Sequence, residues 1–392
     1  MSVVRLAFAY LGARPLLAAM HVVLLALGVA TIVILLLFTE QAEQRLERDA
    51  RPVDLVVGAK GSALQLILSA VLHVDVPAGN IALKDAEELS RSALVASATP
   101  LAMGDSFQGF RIVGTDASFL RLYEAKIERG AEFAVEMQAV LGADVARRTR
   151  LEVGSKFVGS HGLASGGGAE HGDHPYQVVG ILAPTGGVID RLVLTPVESV
   201  WEVHEGHAAS PEREITALLI RYRTPLAAAL LPRQVNSATR MQAASPAYEV
   251  ARLMNMIGVG VDTLRIFAVV LIATAALSVL IALSSALQER RYDLALLRTL
   301  GARPAKLVAL VIAEGVTLVV AGVILGLALG HAAAEVLGRY LAASNQWPVT
   351  GLAWSAAEGE LVLGVLAVGV AACLVPAIQA YRRDPAAALL GR

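Results

Sequence analysis

Four long apolar runs, at residues 16–38, 266–287, 307–330 and 361–380, decide what this chain can fold into. The first contains His21 as its only ionisable residue, the third contains only Glu314, and the other two carry no charged residue. A helix needs about 20 apolar residues to cross a hydrocarbon core of roughly 30 Å, so each run predicts a membrane-spanning helix. Composition agrees, because 56% of the 392 residues are hydrophobic and only 17% are charged, against about 25% charged in a typical soluble chain. Mean hydropathy is +0.60. With 33 basic and 34 acidic residues the net charge is −1, which removes any global electrostatic argument for nucleic acid. The single cysteine, Cys373, lies in the fourth run and has no partner for an internal disulfide.

Lys and Arg near the span ends set the expected orientation. Arg5 and Arg14 precede the first span. Arg290, Arg291, Arg298, Arg303 and Lys306 lie between the second and third, and Arg382, Arg383 and Arg392 follow the fourth. The 331–360 loop has Arg339 alone. Both termini are therefore expected in the cytoplasm and the large domain outside. The first span is too long for a typical signal-peptide core. Thr39-Glu40-Gln41-Ala42-Glu43 offers no small-x-small cleavage site, so the span reads as an uncleaved anchor. The expected order is an N-terminus and first span over 1–39, a periplasmic domain over 40–262 and a second span over 263–287. A cytoplasmic connection over 288–306, a span over 307–330, an outer loop over 331–360, a span over 361–380 and a tail over 381–392 follow.

Strand and helix signals alternate within the large domain, which predicts a mixed α/β fold. Residues 41–51 are charged and helix-prone and extend the first span as a stalk. Strands are expected at 53–57, 107–113, 176–182, 191–195 and 215–222, with a short apolar run at 139–141. Helices are expected at 63–72, 85–92 and 144–149, and one opens at Pro225. Strands 176–182 and 191–195 flank the turn Pro184-Thr185-Gly186-Gly187 and are expected to pair. Leu64, Ile67, Leu68, Val71 and Leu72 form one apolar helix face, read as core in preference to a surface for a lipidic substrate or partner. No G-x-x-x-x-G-K-[ST], G-x-S-x-G, H-E-x-x-H or C-x-x-C occurs, so neither a P-loop nor a covalent enzyme is indicated.

The connection between spans two and three is the most specific stretch. Leu294, Leu297 and Leu300 recur at i, i+3 and i+6, a stripe on one helical face, with Glu289, Arg290, Asp293 and Arg298 around it. Gly301, followed by Ala302, stands where a helix end takes a left-handed residue. Such a helix suits docking into a groove of a soluble partner; the plainer reading is a helix resting on lipid.

These residues, followed by Glu314, Gly322, Gly326 and Gly330 and by the closing Arg383-Asp384-Pro385, resemble the motif of the MacB/FtsX-like permeases of ABC transporters. Asp293 stands where that family commonly has Glu. Ala139-Val140-Leu141-Gly142 and Val178-Val179-Gly180-Ile181-Leu182 resemble its periplasmic core more loosely. The resemblance implies four spans and a large extracytoplasmic α/β domain in a stand-alone permease subunit of the bacterial inner membrane. It implies a dimer with a second copy or a paralogue, each bound through the connection to a separate ATPase that holds ATP and Mg, with no cofactor in this chain. The spans of such permeases transmit motion to the external domain and form no substrate channel. Members extract lipoproteins, drive efflux or activate cell-wall hydrolases, so a periplasmic or lipoprotein partner and membrane lipid are expected, and nucleic acid is not.

The spacing of Gly322, Gly326 and Gly330 lets helix backbones approach closely, either at a sliding dimer or intrasubunit seam or as plain packing. Glu314, about 10 Å into its span at 1.5 Å per residue, is expected to make an interhelical hydrogen bond. His21 reads as structural. His161, His171 and His174, with Glu170 and Asp173, and then His204 and His207, are candidate ligands for zinc, copper or nickel. The plainer reading is a solvated glycine-rich loop. Zinc-linked transport or sensing and activation of a cell-wall hydrolase are the alternatives to transport of lipoprotein, lipid or efflux substrates.

Overall fold

The computed structural model describes residues 3–162, 174–204, 213–343 and 349–382. Helices run α1 (Val3–Gly12), α2 (Pro15–Ala50), α3 (Ala63–Ala70), α4 (Leu83–Ser90), α5 (Ala117–Leu122), α6 (Ala143–Thr149), α7 (Val197–His204), α8 (Pro225–Ala238), α9 (Pro246–Glu289), α10 (Arg291–Thr299), α11 (Pro304–Ala343) and α12 (Ala356–Arg382). Strands run β1 (Leu55–Ala59), β2 (Ile81–Ala82), β3 (Val95–Phe107), β4 (Phe110–Thr115), β5 (Ile127–Gly130), β6 (Gln138–Leu141), β7 (Lys156–Phe157), β8 (Ser160–His161), β9 (Tyr176–Leu182), β10 (Leu192–Pro196), β11 (Glu214–Ile215), β12 (Ala217–Tyr222) and β13 (Met241–Ala244). The chain divides into two compact units, Glu43–Met256 and the combination of Met1–Ala42 with Ile257–Arg392.

The Glu43–Met256 unit is built on one long strand. The first half of β3 pairs with β12 and its second half with β4, so a single strand joins two halves of one sheet. The sheet order is β13-β1-β12-β3-β4-β10-β6-β9-β5. One core gathers Leu55, Val57, Leu218 and Ile220 of the first half under Leu231 and Val235 of α8. A second gathers Phe110, Ile112, Val178 and Val193 of the other half under Val145 of α6. Helix α3 is capped by Ser62, whose hydroxyl accepts the Gln65 N–H at 3.3 Å, and buries Ile67, with Val71 and Leu72 just beyond it. Its apolar face therefore belongs to the core.

Two expectations for this unit need correction. Residues 107–113 are not one strand, because Gln108 (φ 49°) and Gly109 (φ 82°) turn the chain and pair Phe107 with Phe110. Two left-handed residues between antiparallel strands make the preferred two-residue hairpin, but Gln in the first position hides the signal. Strands β9 and β10 flank the Pro184 turn without pairing. Strand β6 lies between them, parallel to β9 and antiparallel to β10. The turn is held instead by Asp190, whose carboxylate accepts the N–H groups of Thr185 at 2.9 Å and Gly186 at 2.7 Å. In the same unit α7, β5, β13 and the first half of β3, with Pro100 inside it, were not legible as elements.

In the other unit, α2, α9, α11 and α12 are long and apolar enough to cross a membrane. Helix α9 has 44 residues, about 66 Å at 1.5 Å per residue, more than twice a hydrocarbon core. Gly322, Gly326 and Gly330 fall on one face of α11 and receive the side chains of α2. A Cβ added at each would stand 2.7 Å from Leu25 Cδ2, 2.6 Å from Val29 Cβ and 2.7 Å from Val33 Cβ respectively. The glycine stripe is thus a seam within the chain. Val29 and Val33 of α2, Ala268 and Ile272 of α9, Val323 of α11 and Val365 of α12 share one buried cluster around it. His21 Nδ1 and Ser278 Oγ lie 2.9 Å apart, linking α2 to α9.

The segment preceding α12 is fastened to the other helices by polar contacts. Gln41 exchanges hydrogen bonds of 2.9 Å with both the C=O and the N–H of Thr350. His331 bridges the Gly351 C=O at 2.6 Å and the Glu358 carboxylate at 2.9 Å. The second Glu358 oxygen accepts the Ser355 N–H at 3.1 Å, a reach-back that closes the first turn of α12.

The seam generates a test. Gly326→Val inserts an isopropyl group where Val29 already stands and should destabilise the chain by about 1–3 kcal/mol, the cost of overpacking. Gly364→Ala, at a helical position with open space around it, should be neutral or slightly stabilising. Thermal unfolding of the detergent-solubilised chain reads both; an unchanged Tm for Gly326→Val contradicts the seam.

Candidate functional site

The connection between α9 and α11 forms because its sequence cannot continue a straight helix. Helix α9 ends at Glu289. Arg290 leaves helical geometry (φ −93°, ψ 14°) and α10 begins at Arg291. Gly301 then adopts φ 96°, a left-handed conformation that strains any residue with a Cβ, and Pro304 opens α11.

Glu289 and Arg290 of the motif are engaged with other helices. The Arg290 guanidinium donates to the Glu314 carboxylate of α11 at 3.2 Å, with 17% and 8% of the two side chains exposed. It also lies over the Tyr10 ring of α1, 3.9 Å from the centroid. A buried carboxylate in an apolar helix is costly unless a cation and hydrogen bond accompany it, and Arg290 supplies both. A cavity of about 20 Å³ borders the pair, closed by Leu283, Leu287, Leu310 and Val311. Beside it, Arg14 pairs with Glu289 in a half-exposed ion pair.

The apolar residues of α10 divide. Ala295 is buried. Tyr292, Leu296 and Leu300 are 59%, 46% and 77% exposed and recur at i, i+4 and i+8, one continuous helical stripe. Leu300 is the member expected from sequence. The side chains of Asp293, Leu294 and Leu297 lie outside what is described. Arg298 is half-buried in the last turn of α10, and Ala302 lies between Gly301 and α11. Tyr10, Arg14, Tyr292 and Leu296 were missed as site residues. The available signal was the aromatic–basic spacing at the chain's start and the second leucine register, at i+4 from Tyr292.

The histidine residues separate. His161 ends β8 with Nδ1 3.5 Å from an Asp105 carboxylate oxygen. His174 Nδ1 is 3.8 Å from a Glu202 oxygen on α7, and His204 is the last residue of that helix. Glu170, His171, Asp173 and His207 lie outside the described residues. Among the described residues no group of three His, Cys, Asp or Glu side chains is placed to hold a metal.

Two family models match this chain. The MacB-like periplasmic core domain matches residues 18–238, more than half of the sequence, and the FtsX-like permease C-terminal domain matches residues 265–385. The chain belongs to the MacB/FtsX-like permease family of ABC transporters. It is a multi-pass membrane protein with a mixed α/β periplasmic-type domain between its first and second spans. Among solved structures, the periplasmic region of MacB from Actinobacillus actinomycetemcomitans is 13% identical, with 54% of this chain and 99% of that chain covered at a TM-score of 0.37. The extracellular domain of the noncanonic ABC-type transporter YknZ from Gram-positive bacteria is 11% identical, with 49% and 99% covered and a TM-score of 0.31. No curated protein sequence matches the chain.

The Arg290–Glu314 pair should behave as one unit. Arg290→Met and Glu314→Leu each strand one buried group, whereas the double variant removes both, so a double-mutant cycle read by thermal unfolding should give a coupling of about 0.5–3 kcal/mol. Additive single effects would place the two side chains in separate environments.

Proposed function

We propose that this chain is the permease subunit of an inner-membrane ABC complex. A separate ATPase docks on α10 and supplies ATP and Mg, and its closure shifts the helices and moves the periplasmic domain. The observation that carries this reading is the division of labour in the motif. Arg290 and Glu289 are engaged with Glu314 and Arg14, while Tyr292, Leu296 and Leu300 present an uncovered apolar stripe. An amphipathic helix with anchors at i, i+4 and i+8 is the form a groove on a soluble partner recognises. The 392 residues contain no P-loop motif, which supports a nucleotide site in that partner.

In this reading Glu289, Arg290 and Glu314 position the docking helix, Leu300 and its neighbours touch the ATPase, and Gly301 sets the turn back into α11. The basic residues of the connection support a cytoplasmic position for it and for both termini. Two permease chains, identical or paralogous, pair within the membrane, and lipoprotein, lipid or an efflux substrate is handled outside. Activation of a cell-wall hydrolase would use the same transmission without transport.

Leu296→Asp with Leu300→Asp places two carboxylates in the groove, an expensive burial without partners. Co-purification of the ATPase should fall at least tenfold while membrane insertion persists; normal assembly of the double variant moves the docking surface elsewhere. Orientation is read by cysteine labelling in a Cys373→Ser background. A cysteine at Glu132 should react with an impermeant reagent from outside the cell, and one at Thr299 only after permeabilisation. Labelling of Thr299 from outside inverts the topology.

A further inference from the structure

The Glu43–Met256 unit holds an open cleft of about 810 Å³ into which four arginines face. Arg48 comes from the last turn of α2, Arg51 from the turn just after it, Arg121 from α5 and Arg221 from β12. Two of them are committed. Arg48 donates to the Gly186 C=O at 3.2 Å, and Arg221 donates to the Pro52 C=O at 2.8 Å and lies 3.4 Å from Asp54. The Arg51 and Arg121 guanidiniums meet no acceptor among the described residues. The acidic groups of the lining are Asp49 and Glu124, and Asp49 is buried and already accepts the Val188 N–H at 2.8 Å. The cleft therefore carries an excess of positive charge, with two bidentate donors free.

A second observation is independent of the arginines. Tyr123 lines the same cleft, and its hydroxyl is buried in the wall with no hydrogen-bond partner among the described residues. Burial first, and the nearby Asp49 carboxylate second, push its pKa well above the usual phenol value, so it remains a donor at neutral pH. Ser97 and Ser118 add hydroxyls on the same walls, and Leu122 and Ile189 add apolar surface. A guanidinium fork matches a phosphate or carboxylate better than any neutral group. The volume lies within the roughly 300–1,000 Å³ of small-molecule sites and exceeds what a bare anion needs.

We propose that this cleft is a binding site for a phosphate ester, with Arg51 and Arg121 gripping the phosphate and Leu122 and Ile189 covering its organic part. A lipid headgroup and a soluble phosphorylated molecule share this chemistry. The proposal does not depend on ATPase docking at α10, because it rests on different residues and is read by binding alone.

The test uses the full chain in dodecyl maltoside micelles without the ATPase. Inorganic phosphate and sn-glycerol 3-phosphate are titrated by calorimetry. Dioleoylphosphatidylglycerol is scored by native mass spectrometry against dioleoylphosphatidylcholine. Saturable binding of at least one anionic probe is expected, weakened about tenfold or more by Arg51→Ala with Arg121→Ala and unchanged by Arg233→Ala. Binding of glycerol phosphate without lipid assigns a soluble ester. Retention of phosphatidylglycerol alone, over phosphatidylcholine, assigns a headgroup. Both arginines are exposed, and Arg51→Gln with Arg121→Gln, which keeps the stems, decides the matter if the alanine pair does not fold. No saturable binding of any anionic probe, or equal binding by the double variant, overturns the proposal.

Discussion

The close approach of α11 to α2 is the constraint on which the membrane unit depends. Lipid tails are as apolar as leucine, so apolar helices gain little from burying against one another except through dense packing. Gly322, Gly326 and Gly330 allow that density by leaving Leu25, Val29 and Val33 room against the α11 backbone. The buried cluster shared by α2, α9, α11 and α12 forms around the same contact. Helix α2 continues without a break to Ala50, and Asp49 near its end holds the Val188 N–H.

The other end of the unit uses charge where the seam uses shape. Arg290 lies between Tyr10 of α1 and Glu314 of α11, so the start of the connection is bound both to the chain's first helix and to the third span. A buried ion pair of this kind adds less to stability than to specificity of geometry, because desolvation offsets much of its attraction. In the proposed reading its role is positional. With Arg290 fixed, α10 leaves α9 at one angle and its apolar stripe faces away from the helices.

The sequence made the spans legible because four runs of apolar residues have no other fate. It also made legible the helices and strands whose apolar period was clean, such as β9 and α8. Strand pairing was not legible. The insertion of β6 between β9 and β10 depends on contacts far apart in the chain, and the turn between them resembled a hairpin. The long β3 was hidden by small residues and Pro100, which carry a weak strand signal despite full pairing. At the connection, composition marked the helix but not which residues face in. Glu289 and Arg290 resembled surface charges until Arg14, Tyr10 and Glu314 were placed beside them. The large-domain cleft left no sequence motif at all, since Arg51, Arg121 and Arg221 come from three separate elements.

The central claim is that the stripe on α10 meets an ATPase. Photo-crosslinking tests it most directly, with a benzophenone amino acid placed at Leu300 in otherwise intact cells. The account predicts an adduct with a P-loop ATPase subunit, identified by mass spectrometry and missing when the same probe replaces Glu132. Adducts confined to lipid, with no ATPase captured from Leu300, Leu296 or Tyr292, would contradict it.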